Sequence, residues 1–85
     1  MAEPGDVEFG AIYTGRVIQV VNFGAFIEIR RGIRGLCHIS EFADRPVPNP
    51  MDIMKPGDTV RAKVMAIDRN GMISLSCRPS ALDSV

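Results

Sequence analysis

Apolar residues along the chain come in five short runs, and the breaks between them are Gly, Asn, Asp and Pro, a spacing that predicts strands rather than helices. The first run, residues 11–21, carries Ile12, Tyr13, Val17, Ile18, Val20 and Val21, with Gly15 inside it. Its alternation slips, because Val17 and Val20 are three apart, so an inward-facing pair there requires a bulge. Asn22, Phe23 and Gly24 form a turn. The second run, residues 25–29, alternates without a slip: Ala25, Ile27 and Ile29 share one face, and Phe26, Glu28 and Arg30 share the other. Arg31 and Gly32 turn the chain into a third run, residues 33–39. The fourth, residues 59–68, sets Val60, Ala62, Val64 and Ala66 against Arg61 and Lys63. Asp68-Arg69-Asn70-Gly71 is a hairpin turn, since Asn-Gly supplies the left-handed backbone that tight hairpins need. The fifth run, residues 72–78, places Ile73, Leu75 and Cys77 inward and Met72, Ser74 and Ser76 outward, and Pro79 ends it.

Between the third and fourth runs the alternation is lost. Pro46, Pro48, Pro50 and Pro56 preclude a continuous strand or helix. Single helical turns fit at residues 40–42 and at 49–54, where Asn49 caps and Pro50 takes the first helical position. An open five-stranded sheet of this size would leave unpaired edges and a bare apolar face. The first expectation is therefore all-β: a five-stranded Greek-key barrel of the oligonucleotide-binding (OB) type, with a short helical turn in the connection between strands 3 and 4. An SH3-like barrel is the alternative. Residues 1–8 are expected to be a flexible lead-in, 9–78 the domain and 79–85 a tail.

Composition narrows the function classes. At 85 residues the chain has room for one small domain and none for separate cofactor and substrate domains. It is 46% hydrophobic and 24% charged, which favours folding over disorder. No apolar run approaches membrane-spanning length, and the opening residues lack the basic and apolar segments of a secretory signal, so a soluble cytoplasmic protein is expected. Cys37 and Cys77 sit in separate apolar runs, as reduced core residues would, and they make neither a disulfide framework nor a metal motif. Net charge is zero, yet between Phe9 and Leu82 ten basic residues face six acidic ones, which permits a basic stripe.

The informative side chains are those on the polar face. Phe26 shares its face with Glu28 and Arg30, and Phe23 sits at the turn before it, so the pair would form a platform on which nucleobases stack. The plainer alternative is that Phe23 plugs the barrel end and Phe26 covers the rim of a thin core. His38 also points outward, between Cys37 and Ile39, where it would stack on a base or donate to a phosphate, although a lone histidine is more often an ordinary surface residue. Arg61 and Lys63 on the fourth strand, Arg69 in the hairpin turn and Arg16 on the first strand are cations of the kind that track a phosphate backbone; a solvated face is the bland alternative for any one of them. Arg30, Arg31 and Arg34 cluster around one turn, as a second contact or merely a soluble loop. Asp68 suits an Asx-type cap of the hairpin better than a catalytic role. Paired carboxylates, an activated nucleophile, a metal cluster and a phosphate-binding glycine loop are all missing, so neither catalysis by this chain alone nor a cofactor is expected.

Gly15-Arg16-Val17, Phe23-Gly24-Ala25-Phe26-Ile27-Glu28, Gly35-Leu36-Cys37-His38-Ile39-Ser40-Glu41, Gly57-Asp58-Thr59-Val60, Lys63-Val64, Ile67-Asp68 and Ile73-Ser74-Leu75-Ser76 occur in order and at the right spacing to resemble the S1 RNA-binding domain family. The resemblance covers about residues 9–78. It implies an OB barrel that binds single-stranded RNA through Phe23, Phe26 and His38. Ile12-Tyr13-Thr14-Gly15-Arg16-Val17 and Ile39-Ser40-Glu41-Phe42-Ala43-Asp44-Arg45 carry a finer resemblance, to the C-terminal S1 modules of the polynucleotide phosphorylase family of 3′-to-5′ phosphorolytic exoribonucleases. That resemblance implies a trimeric parent protein, while the isolated domain is expected to be monomeric. An S1 repeat of a translation or ribosome-associated protein, and a protein-docking module anchored by the exposed Phe pair, are the alternatives. One position departs from the phosphorylase-type pattern: Met72 stands where that pattern has Arg or Lys, so a thioether replaces a cation, and Arg69 is the candidate to compensate.

Overall fold

In the computed structural model, which describes residues 7–82, the five apolar runs become β1 (Ile12–Val21), β2 (Gly24–Arg30), β3 (Ile33–His38), β4 (Thr59–Ile67) and β5 (Ile73–Ser76). They close into a barrel in the order β1-β2-β3-β5-β4. Every seam is antiparallel except β3–β5, which is parallel. Strand alternation sorts the side chains: Ala25, Ile27 and Ile29 of β2 point into the barrel and meet Val17, Val64, Ile73 and Leu75 there. Fully burying each larger aliphatic side chain contributes roughly 1.5–3 kcal/mol, and these are what offset the chain's ordering entropy.

The expected slip in β1 is present, with a register shift between Val17 and Gln19. Two further shifts were not foreseen. The one between Glu28 and Arg30 ends the regular pairing of β2. The one between Val64 and Ala66 turns Ala66 out to solvent and lets Ile67 pack against the core, the reverse of simple alternation. Ser76, expected outside, is fully buried. The chain leaves the wall at that point: Cys77 N–H donates to the Glu41 carbonyl at 2.9 Å, and a helical turn, α1 (Pro79–Leu82), packs back against β4.

Two 3-10 turns occupy the long connection. Ile39–Glu41 is capped by His38, and Pro50–Asp52 is capped by Asn49 with Pro50 leading, as the sequence predicts. Of the expected lead-in, residues 1–6 lie outside the described residues, and Val7 is a core residue at 4% exposure. Cys37 is buried and Cys77 half-buried, both as free thiols. Cys37 Sγ–H has the His38 and Glu41 carbonyl oxygens as acceptors, and the neighbouring Cys77 thiol together with burial pushes the Cys37 thiol far above its ordinary range, which keeps it protonated.

The parallel seam leaves no room for a side chain at Gly35. A Cβ on Gly35 would stand 2.7 Å from the Ile73 carbonyl oxygen and 2.9 Å from Leu75 Cδ1. Gly35→Ala is expected to lower stability by about 1–3 kcal/mol through overpacking, read as a lower midpoint in urea unfolding. An unchanged midpoint would show that the seam has slack.

Asp44 ties α1 to the loop, accepting from Ser80 N–H at 3.1 Å, from Ser80 Oγ–H and from Arg78 Nε at 3.0 Å. The Ser80 hydroxyl, and after it Arg78, hold the Asp44 carboxyl below its ordinary value. A depressed folded-state pKa means the contact contributes fully above the unfolded value of 3.8 and is lost as pH falls through the folded one. Ser80 amide protection should therefore persist down to the ordinary carboxylate range and disappear below it; Asp44→Asn should remove that pH step from the hydrogen-exchange profile.

Candidate nucleic-acid interface

The β1–β2 turn and the outer faces of β2 and β3 bring the aromatic candidates to one side. Phe23 is 48% exposed at the turn, and its carbonyl accepts the Ile39 N–H at 2.9 Å, which holds the turn against the end of β3. Phe26 is half-buried on the outer face of β2, opposite Leu36, while Gly24 stands opposite His38. Phe26 and His38 are thus diagonal cross-strand neighbours, roughly 7–8 Å apart between backbones. Gly24 keeps this corner open, since a Cβ there would press on the His38 backbone at 3.1 Å.

His38 has a local task that the sequence did not disclose. Its Nδ1 accepts the Ser40 N–H at 3.2 Å and lies 2.9 Å from Ser40 Oγ, capping the 3-10 turn. As the acceptor, Nδ1 leaves the proton of the neutral ring on Nε2, which is the donor available for a ligand. The ring is exposed.

The hairpin between β4 and β5 makes the other wall. Asp68 Oδ1 accepts the N–H groups of Asn70 and Met72, both at 2.9 Å, and Gly71 takes the left-handed conformation, φ 83°, that the turn requires. Asp68 is therefore the brace of the turn. Met72 emerges 46% exposed beside Arg34, because the parallel register sets Ile73 against Gly35. Phe26, Arg34, Asn70, Gly71 and Met72 line a groove of about 220 Å³. Among these, an aromatic ring and a thioether suit a flat base, and a guanidinium and an amide suit phosphate and base edges.

The cations divide. Lys63, half-buried on β4, pairs in register with Ser76 of β5, where the parallel pairing with β3 has already ended at Cys37 and Leu75. Arg69 is exposed in the turn itself. Arg61 stands apart, on the β1–β4 seam opposite Thr14. Leu36 and Asn70 belong to the face but are not among the sequence-predicted contacts, and Arg34, which the sequence offers only as part of a separate arginine cluster, joins it. Only the β3–β5 register brings Arg34 to Met72, and no local pattern announces that register. Among the described residues the ion pairs are those of Arg78 with Glu41 and Asp44, so the groove cations keep their charge for a ligand. Among the same residues no cluster of His, Cys, Asp or Glu could hold a metal ion, and no helix is long and apolar enough to cross a membrane.

Comparison with known proteins bears on the fold and the family. The family model described as "S1 RNA binding domain" matches residues 6–78. A polyribonucleotide nucleotidyltransferase of Chlamydia abortus is 51% identical over 72 residues, covering 85% of this chain. Another, from Dehalococcoides mccartyi, is 49% identical over 73 residues. The chain spans only 10% of the length of each. Among solved structures, a chain of the a/eIF2alpha–aDim2p–rRNA complex from Pyrococcus horikoshii OT3 superposes with a TM-score of 0.81 at 40% identity, over 85% of this chain and 45% of that one. GSP13 from Bacillus subtilis gives 0.79 at 39% identity, over 87% of this chain and 58% of that one.

If Asp68 braces the hairpin, Asp68→Ala should cost about 1 kcal/mol for each of the two amide bonds lost, and the Asn70 and Met72 amides should exchange faster. Asp68→Asn, whose amide oxygen still accepts, should retain most of the protection. Equal exchange in wild type and Asp68→Ala would refute the brace.

Proposed function

The chain belongs to the S1 RNA-binding domain family, and from that membership we propose that it is a cytoplasmic, sequence-tolerant module for single-stranded RNA, monomeric by itself. The observation that carries the proposal is the grouping of Phe23, Phe26, His38 and Met72 on one side of the barrel, with Arg34 at the edge of the groove. Bases stack on Phe23, Phe26 and the His38 ring, while Met72 packs on the edge of the base at Phe26. Lys63, Arg34 and Arg69 neutralise phosphates, and Arg61, on the next seam, holds a phosphate at the margin. Asp68 acts through the turn that it braces. Stacking tolerates any base because every base has a π-face, so little sequence preference follows.

The likeness to the polyribonucleotide nucleotidyltransferases supports a narrower assignment: the RNA-holding module of a 3′-to-5′ phosphorolytic exoribonuclease, with a trimeric parent. In that setting the module performs no bond cleavage. It raises the local concentration of the RNA strand near catalytic domains that lie elsewhere.

Titrating an unstructured RNA should show Phe26→Ala weaker than wild type by roughly 1–3 kcal/mol. Raising salt should weaken wild type with a slope near 0.7 per phosphate neutralised. Equal affinity of the two proteins would sink the stacking mechanism. A wild-type chain that ignores RNA at low salt but gains mass with a protein partner would favour the docking alternative.

A further inference from the structure

Arg16, Arg30 and Arg31 take no part in the aromatic groove, yet a chain of adjoining depressions leads to them. The groove at Phe26 and Met72 shares Arg34 with a neighbouring depression of about 270 Å³, whose other lining residues are Ile18, Glu28 and Gly32. That depression shares Glu28 with a third, of about 340 Å³, walled by Thr14, Arg16, Arg30 and Arg31. The strand register explains the continuity: Arg16, Glu28 and Arg34 stand opposite one another in a single row across β1, β2 and β3. Along this path four guanidinium groups face one carboxylate, and none of the five is in an ion pair among the described residues.

One of the four is pre-positioned. The Arg30 guanidinium lies 5.3 Å from the centroid of the Tyr13 ring, and the Tyr13 hydroxyl accepts the Glu8 N–H at 2.9 Å, which pins the ring. Stacking occupies the face of a guanidinium and leaves its N–H edge for a phosphate oxygen. A concave, continuous path with a cationic excess fits a strand carrying a regular row of negative charges. It also starts where such a strand would already be held.

We propose that an RNA strand bound at the aromatic groove continues past Arg34 and Glu28 and lays its next phosphates on Arg16, Arg30 and Arg31. The inference rests on the RNA-binding function proposed above. It makes the binding site longer than the aromatic face, with phosphate contacts alone in the added segment.

The test compares oligonucleotides of about four and about twelve nucleotides, the range that one OB barrel accommodates, against wild type and an Arg16→Gln/Arg31→Gln double variant. Arg45→Gln/Lys55→Gln, which removes equal charge away from the path, is the control. The longer RNA should bind wild type with the steeper salt dependence. The double variant should lower that slope by about 1.4, two phosphates at about 0.7 each, and leave the shorter RNA unchanged. The control should leave both unchanged. Equal slopes for the two lengths, or a control that matches the double variant, overturns the path. If polyglutamate rather than the longer RNA loses binding in the double variant, the surface belongs to an acidic protein partner and the proposal fails. A wild type that binds the short RNA but gains nothing from length overturns this inference alone; one that binds neither length overturns the RNA function with it.

Discussion

Everything on the binding face depends on the closure of the barrel along the β3–β5 seam. It is the one parallel pairing, and it admits no side chain at Gly35, where Ile73 and Leu75 press against the β3 backbone. Without it β3 and β5 would be free edges, and the apolar inner face of the sheet would open to water. Closure also carries register. Because Ile73 lies opposite Gly35, the residue before it, Met72, arrives beside Arg34, and the 68–71 turn folds over the outer face next to Phe26. The groove is thus a by-product of how the sheet closes: residues from β2, β3 and a distant hairpin meet because the backbone between them can meet in no other register.

The sequence made the strands, the turn chemistry and the outward aromatics legible because each rests on short-range information. Alternation in residues 25–29 is enough to put Phe26 opposite the buried Ala25 and Ile27. Asn-Gly and the Asp before it are enough to locate the hairpin, and Asn49-Pro50 the second 3-10 turn. What failed to show was long-range. Ala66 and Ser76 both broke simple alternation, the first through a bulge in β4 and the second because the chain leaves β5 to join the loop at Glu41. Arg34 looked like one member of an arginine turn, since nothing within ten residues of it hints at the hairpin it touches. His38 was legible as an outward ring but not as the cap of the turn that follows, a role set by a side-chain rotamer that spacing does not encode.

The same seam bears on the departure at position 72. In sequence, Met72 resembles a lost cation, and the first candidate to replace it was Arg69, its neighbour along the chain. In space, the cation beside Met72 is Arg34, one strand across, in the same groove. The exchange is not neutral in kind. A thioether at 72 presents a polarizable, apolar surface, while the guanidinium at 34, lining the same groove, presents charge. Stacking and charge, which one long cationic side chain would combine, are here divided between two strands.

A net charge of zero is no obstacle to a polyanion, because electrostatics at this scale are local. The molecule measures 35 × 27 × 22 Å, and the Debye length at physiological ionic strength is about 8 Å. What a bound strand meets is therefore the charge within about one Debye length of its own path, and the sum over the whole chain does not describe it. The balance has a kinetic consequence. With no net field to draw RNA from a distance, association would proceed without strong steering, and under the proposed mode of binding retention would fall to contacts made on arrival: rings under bases and guanidinium edges on phosphates. Such contacts are individually weak and indifferent to sequence, so the strand slides or releases as single contacts break. The RNA-holding role proposed above calls for that behaviour.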